Sequence, residues 1–127
     1  MILSLGLQQY TGSEKVVQAV VTLKHFLAYS IESYEDVDRY NVDVKVSAYD
    51  MAHTYMPAWE TLVKEGKALG IMCSYNAVNG LPTCGNPALN QTLREDWGFE
   101  GYMTSVRRVS AMFSLFGCFG PDVRGHA

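Results

Sequence analysis

Apolar residues fall along the chain in three short blocks, each running into polar, hydrogen-bonding side chains. The first is valine-rich and spans Val16 to Leu23. Within it, Ala19-Val20-Val21-Thr22-Leu23 predicts a strand buried on both faces that passes directly into Lys24-His25-Phe26. The second block, Ile71 to Cys73, predicts a buried strand that changes character at Ser74. From there Ser74, Tyr75, Asn76 and Asn79 supply hydroxyls and amides, and Asn79-Gly80 marks a turn. The third block, Tyr102-Met103-Thr104-Ser105, predicts another short strand.

Between these blocks the periodicity is helical. Ser47 to about Lys67 carries Met51, Tyr55, Trp59, Leu62 and Val63 at spacings of three and four, one apolar face of a helix. Ser47 is its N-cap, and Asp50 sits at N3, where a carboxylate favours the positive helix end. Pro57 breaks or kinks this helix, or starts a second one at its N1 position, and Gly66 ends it. A second helix is predicted from an Asn86 cap and Pro87 through Ala88 to Trp97, with Leu89, Leu93 and Trp97 on one face and Gly98 as terminator. The resulting β-α-β-α-β order implies parallel strands joined by right-handed crossovers. All three strands then end on one face of the sheet, which groups Lys24-His25, Ser74-Tyr75 and Ser105. In parallel β/α barrels that face is where sites are built.

The remaining segments are less regular. Residues 1–12 begin apolar and continue as Gln8-Gln9-Tyr10-Thr11-Gly12, a helix end or loop, with Ser13 capping a short turn. Residues 29–46 read as a long polar connection holding Glu32, Glu35, Asp36, Asp38, Arg39 and Asp43, with a short exposed strand at Val42 to Val46. The acidic cluster lacks the DxDxDG spacing and closing glutamate of a calcium loop, which leaves a solvated loop. Val106 to Ala127 differs in kind: Arg107-Arg108 interrupts the third strand, and Val109, Met112, Phe113 and Phe116 then follow helical spacing.

Composition narrows the classes. The 127 residues are 48% hydrophobic and 18% charged with a formal net charge of −3, enough for one ordinary globular domain with a core. The mild acidity excludes an electrostatic footprint for nucleic acid, and no basic run suggests anionic lipid. No apolar run approaches the roughly 20 residues of a membrane span, and the N-terminus lacks a signal peptide's basic start. Cys73, Cys84 and Cys118 show no zinc-ligand spacing, and no other pattern suggests a metal. On these grounds alone Lys24-His25 has two readings: the lysine marks where the strand reaches solvent, or the pair is there for chemistry.

The motifs decide between them. Thr22-Leu23-Lys24-His25-Phe26, then Met72-Cys73-Ser74-Tyr75-Asn76-Ala77-Val78-Asn79-Gly80-Leu81-Pro82-Thr83-Cys84, then Leu93-Arg94-Glu95-Asp96-Trp97-Gly98-Phe99-Glu100-Gly101-Tyr102 resemble glycoside hydrolase family 3. Within it, the closest likeness is to the β-xylosidase and β-glucosidase branch, in the same order and approximate spacing from about residue 16 to Ser105. The resemblance implies an α/β fold, part of a TIM-like (β/α)8 barrel of about three parallel strands with crossover helices. It implies that Lys24 and His25 hydrogen-bond hydroxyls of the first-subsite sugar and that Tyr75 lies beside the reacting carbon. Pyranose hydroxyls need both donors and acceptors, and a lysine ammonium makes a strong charge-assisted bond. It implies no metal or organic cofactor, and a β-linked oligosaccharide or glycoside as partner. It also implies a secreted parent, in which Cys73 and Cys84, flanking a single turn, form a disulfide.

One departure is prominent. The family hydrolyses with retention, through a carboxylate nucleophile directly after the serine that matches Ser105. Here that position is Val106, which has no lone pair to attack an anomeric carbon. The acid/base carboxylate comes from beyond the barrel, and Glu95 and Asp96 fall on the wrong side of the sheet to replace it. The expectation is therefore that 1–105 is the central part of a family 3 N-terminal barrel and 106–127 an unmatched, non-native tail from a truncated or misassembled gene. The parent would remove terminal β-linked xylosyl or glucosyl units, and this chain would be inactive. The alternatives are a carbohydrate-binding pseudoenzyme and a non-functional gene product. The sequon Asn90-Gln91-Thr92 lies inside a predicted helix, which disfavours its use.

Overall fold

A computed structural model describes residues 2–11 and 16–105. The predicted order is present: strand Thr22–Phe26, a helical segment to Lys64, strand Gly70–Cys73, a second helical segment to Asp96, and strand Tyr102–Thr104. The three strands form one parallel sheet with Gly70–Cys73 at its centre. In register, Thr22, Gly70 and Tyr102 form one row, and Lys24, Met72 and Thr104 the row two residues further on.

Strand geometry sends these two rows to one face and the intervening Leu23, Ile71 and Met103 to the other. Ile71 is fully buried there, and Leu23 and Met103 pack against the same core. The helices supply the rest: Val63 from the first segment, Leu89, Leu93 and Trp97 from the second, with Met51, Tyr55, Met56 and Trp59 alongside. Phe26 is the hub, its ring meeting Trp59 edge-on at 5.0 Å and Trp97 at 6.5 Å.

On the face opposite the core a side chain crosses the described sheet. The Tyr102 hydroxyl hydrogen-bonds Thr22 Oγ1 over Gly70. A Cβ at Gly70 would lie 2.6 Å from Thr22 Oγ1 and 2.9 Å from the Tyr102 ring, so a larger residue there would displace the Thr22–Tyr102 pair. Beneath it, Gln8 of the N-terminal helix Ile2–Leu7 region accepts from Val21 N (2.9 Å) and Leu69 N (3.1 Å) and donates to Lys67 O (2.6 Å). This buried amide satisfies backbone groups at the strands' N-terminal ends.

The structure corrects the first predicted strand. It runs from Thr22 to Phe26, not from Ala19 to Leu23, so Lys24 and His25 lie inside it. Val16–Val17 are held in an antiparallel ladder with Tyr10–Thr11, and Gln8 takes the Val21 N–H, so parallel pairing starts at Thr22. Nor is it buried on both faces: Val20 is 43% exposed and Lys24 is exposed, because the strand is an edge of the described sheet. The peptide bonds Lys24–His25 and Phe26–Leu27 are cis.

The predicted caps are found. Ser47 Oγ accepts from Asp50 N (3.0 Å), and Asn86 Oδ1 accepts from Ala88 N (3.1 Å). Pro57 opens a second helix rather than breaking the chain's helical path. A π turn at Met51–Tyr55, with Met56 N donating to Met51 O, leads into helix Met56–Lys64 with the proline in its first turn. The turn at Asn79-Gly80 is the tip of a small hairpin joining Ala77–Val78 to Leu81–Pro82. Both residues have positive φ (52° and 89°), as a two-residue hairpin turn requires. The polar connection 29–46 contains an unpredicted hairpin, Ser33–Tyr34 with Val37–Asp38. Its Asp43–Val44 strand pairs in parallel with Ala77–Val78. The expectations for Ser13 and for 106–127 lie outside the described residues.

Candidate active site

Parallel pairing places the C-terminal ends of the three strands, Phe26, Cys73 and Thr104, side by side. Lys24, His25, Tyr75 and Ser105 therefore lie at one end of the sheet. The register slips between Lys24 and Phe26, so that Lys24 opposes Met72 while Phe26 opposes Cys73. With this irregularity Lys24 stays exposed, in the row of Met72 and Thr104, while Phe26 is buried in the core.

The strand ends are clipped together by buried polar groups. Ser74 N donates to Phe26 O (2.7 Å). Ser74 Oγ accepts from Leu27 N and donates to Leu27 O, both at 3.0 Å. Asn76 Nδ2 also donates to Leu27 O (3.2 Å), and Thr83 Oγ1 donates to Ser74 O (3.1 Å). The Asn76 Oδ1 atom has no hydrogen-bond partner among the described residues. Ser74 and Asn76 are each 1% exposed. The polar burst after the central strand is thus divided: Ser74 and Asn76 serve the backbone, and Tyr75 between them is left half-buried. Asn79 likewise pairs with the backbone, bonding both the N–H and the carbonyl of Val46 (2.9 and 3.0 Å). A disulfide joins Cys73 to Cys84 with Cα atoms 5.6 Å apart, tying the strand end to the turn Thr83–Gly85.

His25 and Tyr75 are linked through an aromatic side chain that the sequence reading passed over. The Tyr29 ring lies 5.2 Å from the His25 ring and 6.1 Å from that of Tyr75. Tyr40 meets Tyr75 edge-on at 5.0 Å, and the Arg39 guanidinium lies 5.1 Å from the Tyr75 centroid. Arg39 is held by Glu32 Oε2 (2.9 Å) and donates to Tyr40 Oη (2.9 Å), while Tyr29 Oη donates to Glu32 Oε1 (2.8 Å). Four functional candidates, Tyr29, Glu32, Arg39 and Tyr40, thus come from a segment read as a solvated loop. The available signal was three tyrosines (Tyr29, Tyr34, Tyr40) in an otherwise charged stretch directly after a strand end.

These contacts set the charges. Burial, then the neighbouring Lys24 ammonium, lowers the His25 pKa, and the Glu32 carboxylate opposes both. The Tyr29 hydroxyl, foremost, and Arg39 hold the Glu32 carboxyl below the usual range. Burial and the Glu32 contact raise the Tyr29 phenol. At neutral pH this end of the sheet presents an uncharged imidazole, a cationic lysine and aromatic faces. Donors, acceptors and flat apolar surface are the groups that a pyranose ring and its hydroxyls engage.

Comparison with known proteins gives the family. The sequence model of the glycosyl hydrolase family 3 N-terminal domain matches residues 3–118. The chain is 50% identical over 95 residues to a probable β-D-xylosidase 6 of Arabidopsis thaliana, covering 74% of this chain and 12% of that protein. It is 48% identical over 97 residues to a probable exo-1,4-β-xylosidase of Aspergillus terreus, covering 76% and 12%. Among solved structures, a family 3 exo-β-xylosidase in complex with a xylobiose aziridine probe superposes with a TM-score of 0.69 at 32% identity, covering 74% and 13%. β-Glucosidase 3B from Thermotoga neapolitana, in complex with glycerol, gives 0.62 at 36%, covering 67% and 12%. The chain spans about 12% of the length of these curated relatives. It belongs to glycoside hydrolase family 3 and matches the N-terminal domain of that family.

Proposed function

We propose that residues 1–105 are the central part of the family's N-terminal TIM-like barrel. In this reading Lys24, His25 and Tyr75 receive the terminal sugar of a β-linked glycoside, of the kind removed by a β-xylosidase or β-glucosidase. The observation that carries it is the shared strand end: Lys24 exposed there, and His25 and Tyr75 joined through the Tyr29 ring. The ammonium donates to a sugar hydroxyl, the neutral imidazole both donates and accepts, and Tyr75 packs beside the ring. The likeness to xylosidases at 50% and 48% identity favours a pentose over a hexose. The Cys73–Cys84 disulfide suits an oxidising compartment and so a secreted parent.

This chain does not turn over glycosides by itself. Retaining hydrolysis needs a carboxylate on each side of the scissile bond. In this reading Val106 stands at the nucleophile position, and the acid/base carboxylate comes from outside the barrel. Val106 also favours a second reading, a sugar-binding chain without turnover. The test is release of aryl alcohol from 4-nitrophenyl β-xyloside and β-glucoside by the purified 127-residue chain. Neither it nor Val106→Asp should exceed a no-enzyme blank, since cooperating catalytic groups are not additive. Turnover abolished by Lys24→Ala would overturn the reading of inactivity. Weak xylose binding lost in Lys24→Ala supports the sugar site, and no binding at any concentration counts against it.

A further inference from the structure

Glu32 uses each carboxylate oxygen for a different neighbour of Tyr75. Oε1 accepts from the Tyr29 hydroxyl (2.8 Å), and Oε2 accepts from Arg39 Nη1 (2.9 Å). Tyr29 lies between the His25 and Tyr75 rings, and Arg39 lies over Tyr75 while bonding Tyr40, the third group against that ring. From the segment Tyr29 to Tyr40, the side chains of Tyr29, Arg39 and Tyr40 reach the strand end through the rings of His25 and Tyr75. One carboxylate thus closes a loop around one tyrosine. We infer that Glu32 is a positioning residue that fixes the ring of Tyr75 and the orientation of His25 by holding Tyr29 and Arg39 at once.

This role deepens the sugar-site reading and rests on it, because it matters for recognition only if His25 and Tyr75 face the sugar. Its chemistry separates two substitutions. In Glu32→Gln the amide oxygen still accepts from Tyr29, but the amide nitrogen has no acceptor for Arg39. In Glu32→Asp the charge remains, but the side chain is one methylene short of holding both partners. The charged groups acting on His25 are Lys24 on its own strand and Glu32 on the facing loop, with the Tyr29 phenol packed on its ring.

The test follows the Tyr75 ring resonances and the His25 titration by NMR in the full 127-residue chain, with thermal unfolding alongside. Glu32→Gln should move the Tyr75 ring signals toward those of a free tyrosine and displace the His25 midpoint downward, because the charge that raises it is gone. Glu32→Asp should restore the His25 midpoint but not the ring signals. A purely structural Glu32 would lower the unfolding temperature and leave both readouts in place, which overturns the inference. So would a parent chain whose Tyr75 signals are already those of a free ring. Neither readout needs turnover or bound sugar, so failure of the sugar-site reading leaves this result separately legible.

Discussion

Replacing Ser74 by alanine tests how the two strand ends are joined. The Ser74 hydroxyl is 1% exposed, accepts from Leu27 N and donates to Leu27 O at 3.0 Å each, and Leu27 itself is fully buried. Removing the hydroxyl leaves the Leu27 N–H without this acceptor in a region closed to water, a loss of about 1–3 kcal/mol. The carbonyl half costs less, because Leu27 O keeps Asn76 Nδ2 at 3.2 Å. Thr83 Oγ1 still donates to the Ser74 carbonyl (3.1 Å), so the neighbouring hydroxyl is not orphaned. The sum stays near 1–3 kcal/mol and does not reach the ~5 kcal/mol of the worst core cavities. Urea unfolding at matched slope measures it, with exposed Ser30→Ala as a control expected within about 0.5 kcal/mol of the parent. A Ser74→Ala loss below about 0.5 kcal/mol would show that the clip does not hold the strand ends, and the reasoning would fail.

Two further outcomes follow from the same end of the sheet. Opening the Cys73–Cys84 bridge, eleven residues apart in sequence, should cost about 3 kcal/mol on chain-entropy grounds, read by comparing the oxidised chain with a Cys73→Ala/Cys84→Ala variant; an unchanged midpoint would mean the loop is already fixed without it. His25 has a folded-state pKa below its ordinary 6.5, so as pH falls below that value the unfolded chain takes up a proton that the folded one resists. Stability should therefore decline with falling pH from about 6.5 down to the folded pKa and level off below it. A His25→Asn variant should show a shallower decline, and an identical pH profile would remove His25 from the account.

Much of this architecture could be read from the sequence, and the exceptions have physical causes. Ser47 and Asn86 were legible as caps because a side-chain acceptor before an apolar-periodic run has few other uses. Leu89, Leu93 and Trp97 were legible because a buried helix face must repeat with the helix. The first strand was misplaced because valine content at 19–23 looks like burial, whereas the pairing limit is set by Gln8, which is distant in sequence and reaches Val21 only after folding. Ser74 and Asn76 were read with Tyr75 as one polar group, since sequence does not distinguish a hydroxyl serving a backbone from one facing solvent. The Tyr29–Tyr40 segment failed for the opposite reason. Its charges suggest solvation, and only the folded chain shows Glu32 and Arg39 bonded to each other beneath a set of tyrosine rings.

The central claim is that this segment supplies the sugar-facing part of a family 3 barrel, and a chimera tests it most directly. Residues 16–105 would replace the matching segment of an active β-xylosidase, with the host's own residue kept at the position of Val106. The account predicts a folded chimera that hydrolyses 4-nitrophenyl β-D-xylopyranoside. It further predicts that Lys24→Ala in that chimera lowers kcat/KM by about 100-fold, the scale of losing one charge-assisted hydrogen bond. A folded chimera without turnover, or one indifferent to Lys24→Ala, would contradict it.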